Sequence, residues 1–223
     1  MTNIIHPHVT PQLDGIELSP DLPLIICDAD EVLFQFAAHL DLYLEQRGMY
    51  LDLTGYPGGT GIRRTDDNSM MERAEMPAFI DIFFETETEL MAPVPNAAES
   101  LAKLSERAQV MVLSNLPIQY REARTRALRK HGMDYPLIAN IGLKGAPVRH
   151  LEAQVSGPVF FLDDTSQNIE SVHEVADDVY LIHFVHDPRI KAKITAATGS
   201  HHHTDDWLSA HDYIEQKLSK HGY

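Results

Sequence analysis

The chain has 223 residues, 43% hydrophobic and 23% charged, which is the balance of a soluble globular protein with room for a substantial core and a modest insertion. A net charge of -15 excludes a nucleic-acid or anionic-membrane surface as the main partner, because both require a cationic footprint. An anionic substrate would therefore need a local positive site or a metal ion.

Residues 1–22 are rich in Pro, His and Asp without clear periodicity and are expected to form an irregular lead-in on the core surface. They contain no basic region followed by an apolar one, and no apolar run in the chain approaches 18 residues, so a cytoplasmic protein is expected. Pro23 to Cys27 (Pro-Leu-Ile-Ile-Cys) reads as a short strand covered on both faces. Cys27 is the single cysteine, which rules out an intramolecular disulfide and suits a reducing compartment; a small buried core residue is its simplest role.

The strand ends abruptly in acid. Asp28 and Asp30 lie two positions apart, so an extended backbone points both to one side with α-carbons roughly 6.6 Å apart. Two negative charges at that separation repel by ~2.5 kcal/mol at an effective dielectric near 20. A bound cation, or one carboxyl kept protonated, would relieve the repulsion. The ordinary alternative is a pair of turn residues after a strand.

Phe36 to Arg47 has helical apolar spacing and stops at Gly48. Gly55, Pro57, Gly58, Gly59 and Gly61 should break regular structure over residues 49–65, which end in Arg63-Arg64. A second helical stretch runs from about Asp67 to Met91, bent or broken at Pro77, with Met70, Met71, Met76, Phe79 and Phe83 as a core stripe. From Asn96, helix and strand alternate. Asn96 and Glu99 suggest a capping box for a helix to Arg107. There follow strand 109–113, helix 118–131, strand 136–141, helix 147–155, strand 158–162, helix 165–176, strand 178–184 and a final helix 204–220 capped by Thr204. This alternation predicts an α/β fold with a doubly wound parallel sheet. The basic helix carrying Arg121, Arg124, Arg126, Arg129 and Lys130 is expected to present a solvated face. His201, His202 and His203, three in succession ahead of a capped helix, suit a solvent loop better than a metal site; His173 and His183 are expected to be structural.

In a sheet of this kind ligands bind outside the carboxyl ends of the strands. There the chain places Asp28-Ala-Asp30, Ser114-Asn115 and Asp163-Asp164, with Lys144 following the short strand 136–141. This ordered set resembles the four motifs of the haloacid dehalogenase superfamily: Ile26-Cys-Asp28-Ala-Asp30-Glu-Val32-Leu33, Val112-Leu113-Ser114-Asn115, Lys144-Gly-Ala-Pro147 and Phe160-Phe161-Leu162-Asp163-Asp164. The resemblance covers about residues 23–185. The third motif lacks its first proline, and Glu31-Val32 stands where many phosphatases of the family have Gly-Thr, which adds a carboxylate near the site.

The resemblance implies a Rossmann-like core over residues 1–34 and 96–223 with a small α-helical cap at 35–95. It implies a phosphatase acting on a small phosphorylated substrate, with Asp28 as nucleophile and Asp30 as acid and base. Magnesium would be held by the Asp28 carboxylate, the Asp30 carbonyl and an acid from Asp163-Asp164. Ser114, the Asn115 amide and Lys144 would hold the phosphoryl oxygens. Arg63 and Arg64 are candidates for a substrate anion or, alternatively, an exposed charged loop. A different phosphoryl transfer, C–X hydrolysis, or a silent scaffold whose insert binds a partner are the competing readings.

Overall fold

A computed structural model describes residues 4–55 and 61–223 of the chain. Pro57, Gly58 and Gly59 of the glycine-rich turn lie outside the described residues. The lead-in is less irregular than expected, for Pro11 starts a short helix, α1 (Thr10–Asp14), that buries Leu13.

Strand β1 (Leu24–Cys27) is buried along its whole length. Helix α2 (Phe36–Glu45) follows, and the chain turns at Gly48, whose positive φ of 65° suits glycine. The next stretch departs from expectation. Residues 49–65 contain an antiparallel hairpin, β2 (Met49–Asp52) with β3 (Gly61–Arg64), in which Leu51 pairs with Ile62. Helix α3 (Met76–Glu87) is shorter than predicted because Pro77 lies in its first turn rather than at a bend; residues before it are turns, and Met70 is exposed. The segment between β1 and the next core helix is thus helix, hairpin, helix rather than wholly helical.

Helix α4 (Ala97–Leu104) begins at Asn96, but Asn96 adopts a left-handed conformation with φ 65° and makes no side-chain cap, so the expected capping box does not form. Then come β4 (Gln109–Ser114), a 3-10 turn (Ile118–Tyr120), α5 (Arg121–Lys130), β5 (Leu137–Ala139), α6 (Gly145–Glu152), β6 (Val159–Asp163), α7 (Ser166–His173) and β7 (Val179–Phe184). Helix α8 (Pro188–Lys191), β8 (His202–Thr204) and α9 (Trp207–Lys220) complete the chain. The cap of α9 is Asp206, whose carboxylate accepts from the Leu208 and Ser209 amides, while Thr204 ends a strand. His202 and His203 therefore belong to an edge strand and not to a solvent loop.

Among the described residues the main sheet has six strands in the order β5-β4-β1-β6-β7-β8, and every pairing in it is parallel. The chain winds from β1 through β4 to β5 on one side, then returns to build β6, β7 and β8 on the other. β1 is therefore the switch point, where a crevice opens at the strand ends. Its side chains alternate: Ile25 and Cys27 join the apolar cluster with Leu101, Leu104, Ile214 and Leu218, while Leu24 and Ile26 join Val148, Leu151, Ile169 and Val172. Burying each such aliphatic side chain stabilises by about 1.5–3 kcal/mol, which fixes the strand's register and hence the position of the acids that follow it.

Candidate active site

Register aligns the acids. Cys27 pairs with Val112 and Leu162, so Asp28 lies level with Asp163 and one residue short of Ser114. The Asp28 amide still donates to Leu162 carbonyl (2.8 Å), after which the chain folds into a tight loop with the Leu33 and Phe34 amides both donating to Ala29. Trp207, fully buried on α9, pins this loop by donating its indole N–H to Val32 carbonyl (2.7 Å).

Glu31 sits in that loop at φ 62°, in the left-handed region. Its buried carboxylate accepts from the Ala37 amide (2.6 Å) at the start of α2 and from the Asp187 amide (2.9 Å) ahead of α8. A carboxylate at a helix N-terminus is favourable, and here it ties three segments together. Glu31 is thus a clasp on the loop, with both its oxygens committed to backbone.

Lys144 is fully buried, and its ammonium lies 2.8 Å from Asp28 Oδ1 and 2.6 Å from Asp163 Oδ2. Burial works to lower its pKa, but the two carboxylates outweigh burial and hold it above the ordinary lysine value. Asp28 Oδ1 also accepts from the Ala29 amide (2.7 Å). Burial, with Asp163 adding, raises the Asp28 carboxyl to about 6 against the pull of Lys144. Asp163 is the most heavily engaged acid, since it accepts from Lys144, from Asn168 Nδ2 at both oxygens (3.0 and 3.2 Å) and from the Thr165 amide (2.9 Å). Among the described residues the Asp164 carboxylate accepts only from the Thr165 hydroxyl (3.2 Å), and burial together with Asp163 and Asp28 raises its pKa well above the ordinary value.

Asp28, Asp163 and Asp164 each offer a carboxylate oxygen, all within 4.8 Å of one another. The donor set is all oxygen, as hard divalent cations prefer. Four acids at the strand ends, Asp28, Asp30, Asp163 and Asp164, face two buried cations, Lys144 and Arg124, and burial raises the carboxyl pKa of Asp28, Asp30 and Asp164. Both observations fit a divalent ion. Ser114, at the end of β4, is fully buried and its hydroxyl has no hydrogen-bond partner among the described residues, a group left ready for a ligand. Asn115 accepts from Asn140 Nδ2 (2.7 Å) and donates to Gly142 carbonyl (3.1 Å), which ties the ends of β4 and β5 to the Lys144 loop. Burial and the Asp28 charge push the Cys27 thiol far up, so it stays a neutral core residue.

Asp30 differs from expectation. Its Oδ1 accepts from Arg124 Nη2 at 2.6 Å, and Arg124, assigned by sequence to a solvated face, is fully buried. The cause is helical phase: Arg124 shares the inner face of α5 with Ala127 and Leu128, while Arg126 and Arg129 point outward to Glu89 and Asp134. Repulsion between Asp28 and Asp30 is therefore met by a cation on each, Lys144 and Arg124, in addition to the two remedies considered above. Sequence reasoning also missed Asn168 and Asn140; an amide in the first turn after Asp163-Asp164, and one ending β5, are the signals that mark them.

Arg63 and Arg64 lie on β3. Arg63 donates from Nε to Asp52 (2.6 Å) and from Nη1 to Asn68 carbonyl (2.9 Å), and Arg64 donates to both oxygens of Glu75 (3.1 Å). Among the described residues neither makes a hydrogen bond or ion pair with the strand-end acids. The insert reaches the site instead through α3: Phe84 packs with Leu116 and Ala139, and Asp81 accepts from the Tyr120 hydroxyl (2.7 Å) and Gln119 Nε2 (3.1 Å) just beyond Ser114-Asn115.

No protein-family model matches the chain, and no curated protein matches it in sequence. Solved structures match its fold. A haloacid dehalogenase-like protein of unknown function from Agrobacterium tumefaciens is 14% identical with a TM-score of 0.60, over 87% of this chain and 98% of that one. A haloacid dehalogenase family hydrolase from Deinococcus radiodurans, solved with bound phosphate and sodium, is 13% identical with a TM-score of 0.58, over 89% and 97%. A predicted phosphoglycolate phosphatase from Haemophilus somnus is 14% identical with a TM-score of 0.56, over 86% and 98%. The chain has the haloacid dehalogenase-like fold: a Rossmann-like parallel sheet with flanking helices. Among the described residues no helix is long and apolar enough to cross a membrane.

Proposed function

We propose that the chain is a haloacid dehalogenase superfamily hydrolase, a magnesium-dependent phosphatase that acts on a small phosphorylated substrate through an aspartyl-phosphate. One observation carries this reading: Lys144 joins Asp28 to Asp163, with Asp164 beside them, at the switch point of the sheet. The phosphate and sodium held by the Deinococcus hydrolase lend it chemical support.

Asp28 is the nucleophile. Lys144 and the Ala29 amide both engage its Oδ1, which leaves Oδ2 to attack phosphorus. As the bond from phosphorus to the leaving oxygen breaks, Asp30 gives that oxygen a proton; it takes one back from the water that attacks the aspartyl-phosphate. Lys144, the orphaned Ser114 hydroxyl and the Asn115 amide hold the phosphoryl oxygens as negative charge shifts among them. Magnesium would be held by Asp28, the Asp30 carbonyl and Asp164, and would supply charge neutralisation to the phosphoryl group; Asp163, already committed to Lys144 and Asn168, would orient rather than bind. Residues 35–95 act as a cap over this site, with α3 resting on the loop after β4. The protein works in the cytoplasm, without nucleic acid or membrane as partner.

The test is a panel of phosphate esters with added magnesium, comparing wild type with Asp28→Asn. Hydrolysis by the wild type that falls to background in the variant is expected. Equal rates in both, or none in either, would favour the scaffold reading.

A further inference from the structure

The buried arginine at the edge of this site has no place in the mechanism so far. Arg124 has no exposed surface, and Asp30 is the only carboxylate that pairs with it among the described residues. Its guanidinium carbon lies 4.9 Å from the centre of the Phe34 ring, Nη1 lies 3.6 Å from Met91 Sδ, and Nε has no hydrogen-bond partner. An aromatic face and a thioether hold the fork's body, so the one strong, directional bond it makes is to Asp30 Oδ1. No described residue hydrogen-bonds Asp30 Oδ2, and the Asp30 side chain keeps 19% of its surface exposed.

A carboxyl clamped at one oxygen loses its freedom to rotate about χ2. The oxygen left over then points in a fixed direction. We propose that Arg124 is a positioning residue: by holding Asp30 Oδ1 it turns Oδ2 toward the leaving oxygen of the substrate. This rests on the phosphatase reading above, in which Asp30 delivers the proton as the bond from phosphorus to that oxygen breaks. An ion pair that only stabilised the fold would need neither the one-sided contact nor a partner so close to Asp28.

The distinguishing readout is dependence on the leaving group, because a proton donor matters most where the departing oxygen is strongly basic. Wild type, Arg124→Met and Arg124→Lys are assayed with magnesium on 4-nitrophenyl phosphate, whose leaving group departs readily, and on phenyl phosphate, whose leaving group is more basic. For Arg124→Met, kcat on phenyl phosphate should fall about tenfold further than kcat on 4-nitrophenyl phosphate, with KM nearly unchanged; Arg124→Lys should recover part of the difference. In an Asp30→Asn background the Arg124 substitution should add no further selectivity. Equal losses on the two esters, or a change in KM alone, would overturn the assignment while leaving the phosphatase reading intact. A wild type inert on both esters, and on the wider panel, would overturn both. If Arg124→Met does not fold, Arg124→Lys keeps the buried charge without the planar fork, and the same ratio decides.

Discussion

Two cations lie buried at the carboxyl end of one sheet, and their surroundings are unlike. Lys144 sits between two carboxylates, one of which is further held by Asn168 and the Thr165 amide. Arg124 has one carboxylate, an aromatic ring and a sulfur, and one of its nitrogens is left without a partner. The first arrangement holds a nucleophile and the acids around it in a closed network. The second grips a single oxygen of a side chain that still touches solvent. Buried charge thus serves two ends here, immobility on one side of β1 and aim on the other.

Removing each cation in turn is the strongest way to break that comparison. Lys144→Met leaves Asp28 and Asp163 facing each other in the interior, and stranding a buried charge typically costs about 3–5 kcal/mol. Arg124→Met strands only Asp30, which is 19% exposed and can recruit water, so a smaller loss of about 1–3 kcal/mol is expected. Urea denaturation without added metal measures both. Magnesium should restore more stability to Lys144→Met than to Arg124→Met, because Asp28, one of the two acids stranded in the first, would hold the ion by its carboxylate, with Asp163 close beside it. An Arg124 variant that loses more than the Lys144 variant would reverse the assignment of roles.

Acidity sharpens the same contrast. Burial raises the Asp28 carboxyl to about 6, above its unfolded value of 3.8, so in the metal-free protein this group holds a proton between those values that the unfolded chain releases. Its contribution to stability is therefore greatest below about pH 4 and declines as pH rises toward 6. Metal binding runs the other way, because only the ionised carboxylate is a ligand. At pH 5 about ten protonated Asp28 side chains exist for each ionised one, so magnesium should bind about tenfold more weakly than at pH 7.5. Asp164, also raised, steepens the dependence. Calorimetric titration across this range checks the affinity and the accompanying proton release; an affinity independent of pH would place the ion elsewhere.

The Lys144 side of the site was legible because each of its parts is local. Asp28, Ser114 and Asp163 each end an apolar run, and the alternation of strand and helix brings those ends together without any knowledge of side-chain contacts. Arg124 was missed because its partner is 94 residues away and its neighbours are basic, so the helix read as a charged face. Its phase with Ala127 and Leu128 was visible, but a buried arginine makes sense only once a carboxylate is known to meet it. Glu31 was read as an extra charge near the site; its commitment to the Ala37 and Asp187 amides depends on three segments converging. The β2–β3 hairpin was hidden for a different reason, since its strands are short, only partly buried and separated by residues whose glycine and proline content dominates any pattern.

The smallest expected effect concerns the insert's own arginines. Arg64 and Glu75 form an exposed pair, with 36% and 45% of their side chains accessible, and such pairs are screened by water and salt. Arg64→Ala should leave the unfolding midpoint unchanged within error. It should also leave KM unchanged, because Arg64 pairs with Glu75 through Nη2 and among the described residues makes no hydrogen bond or ion pair with the strand-end acids. Steady-state kinetics on the best ester of the panel measures this directly. A rise in KM of about fivefold or more, with kcat preserved, would mean that Arg64 leaves Glu75 to meet the substrate's anion, and that the cap contributes binding charge to a site whose own strand ends carry an excess of acid.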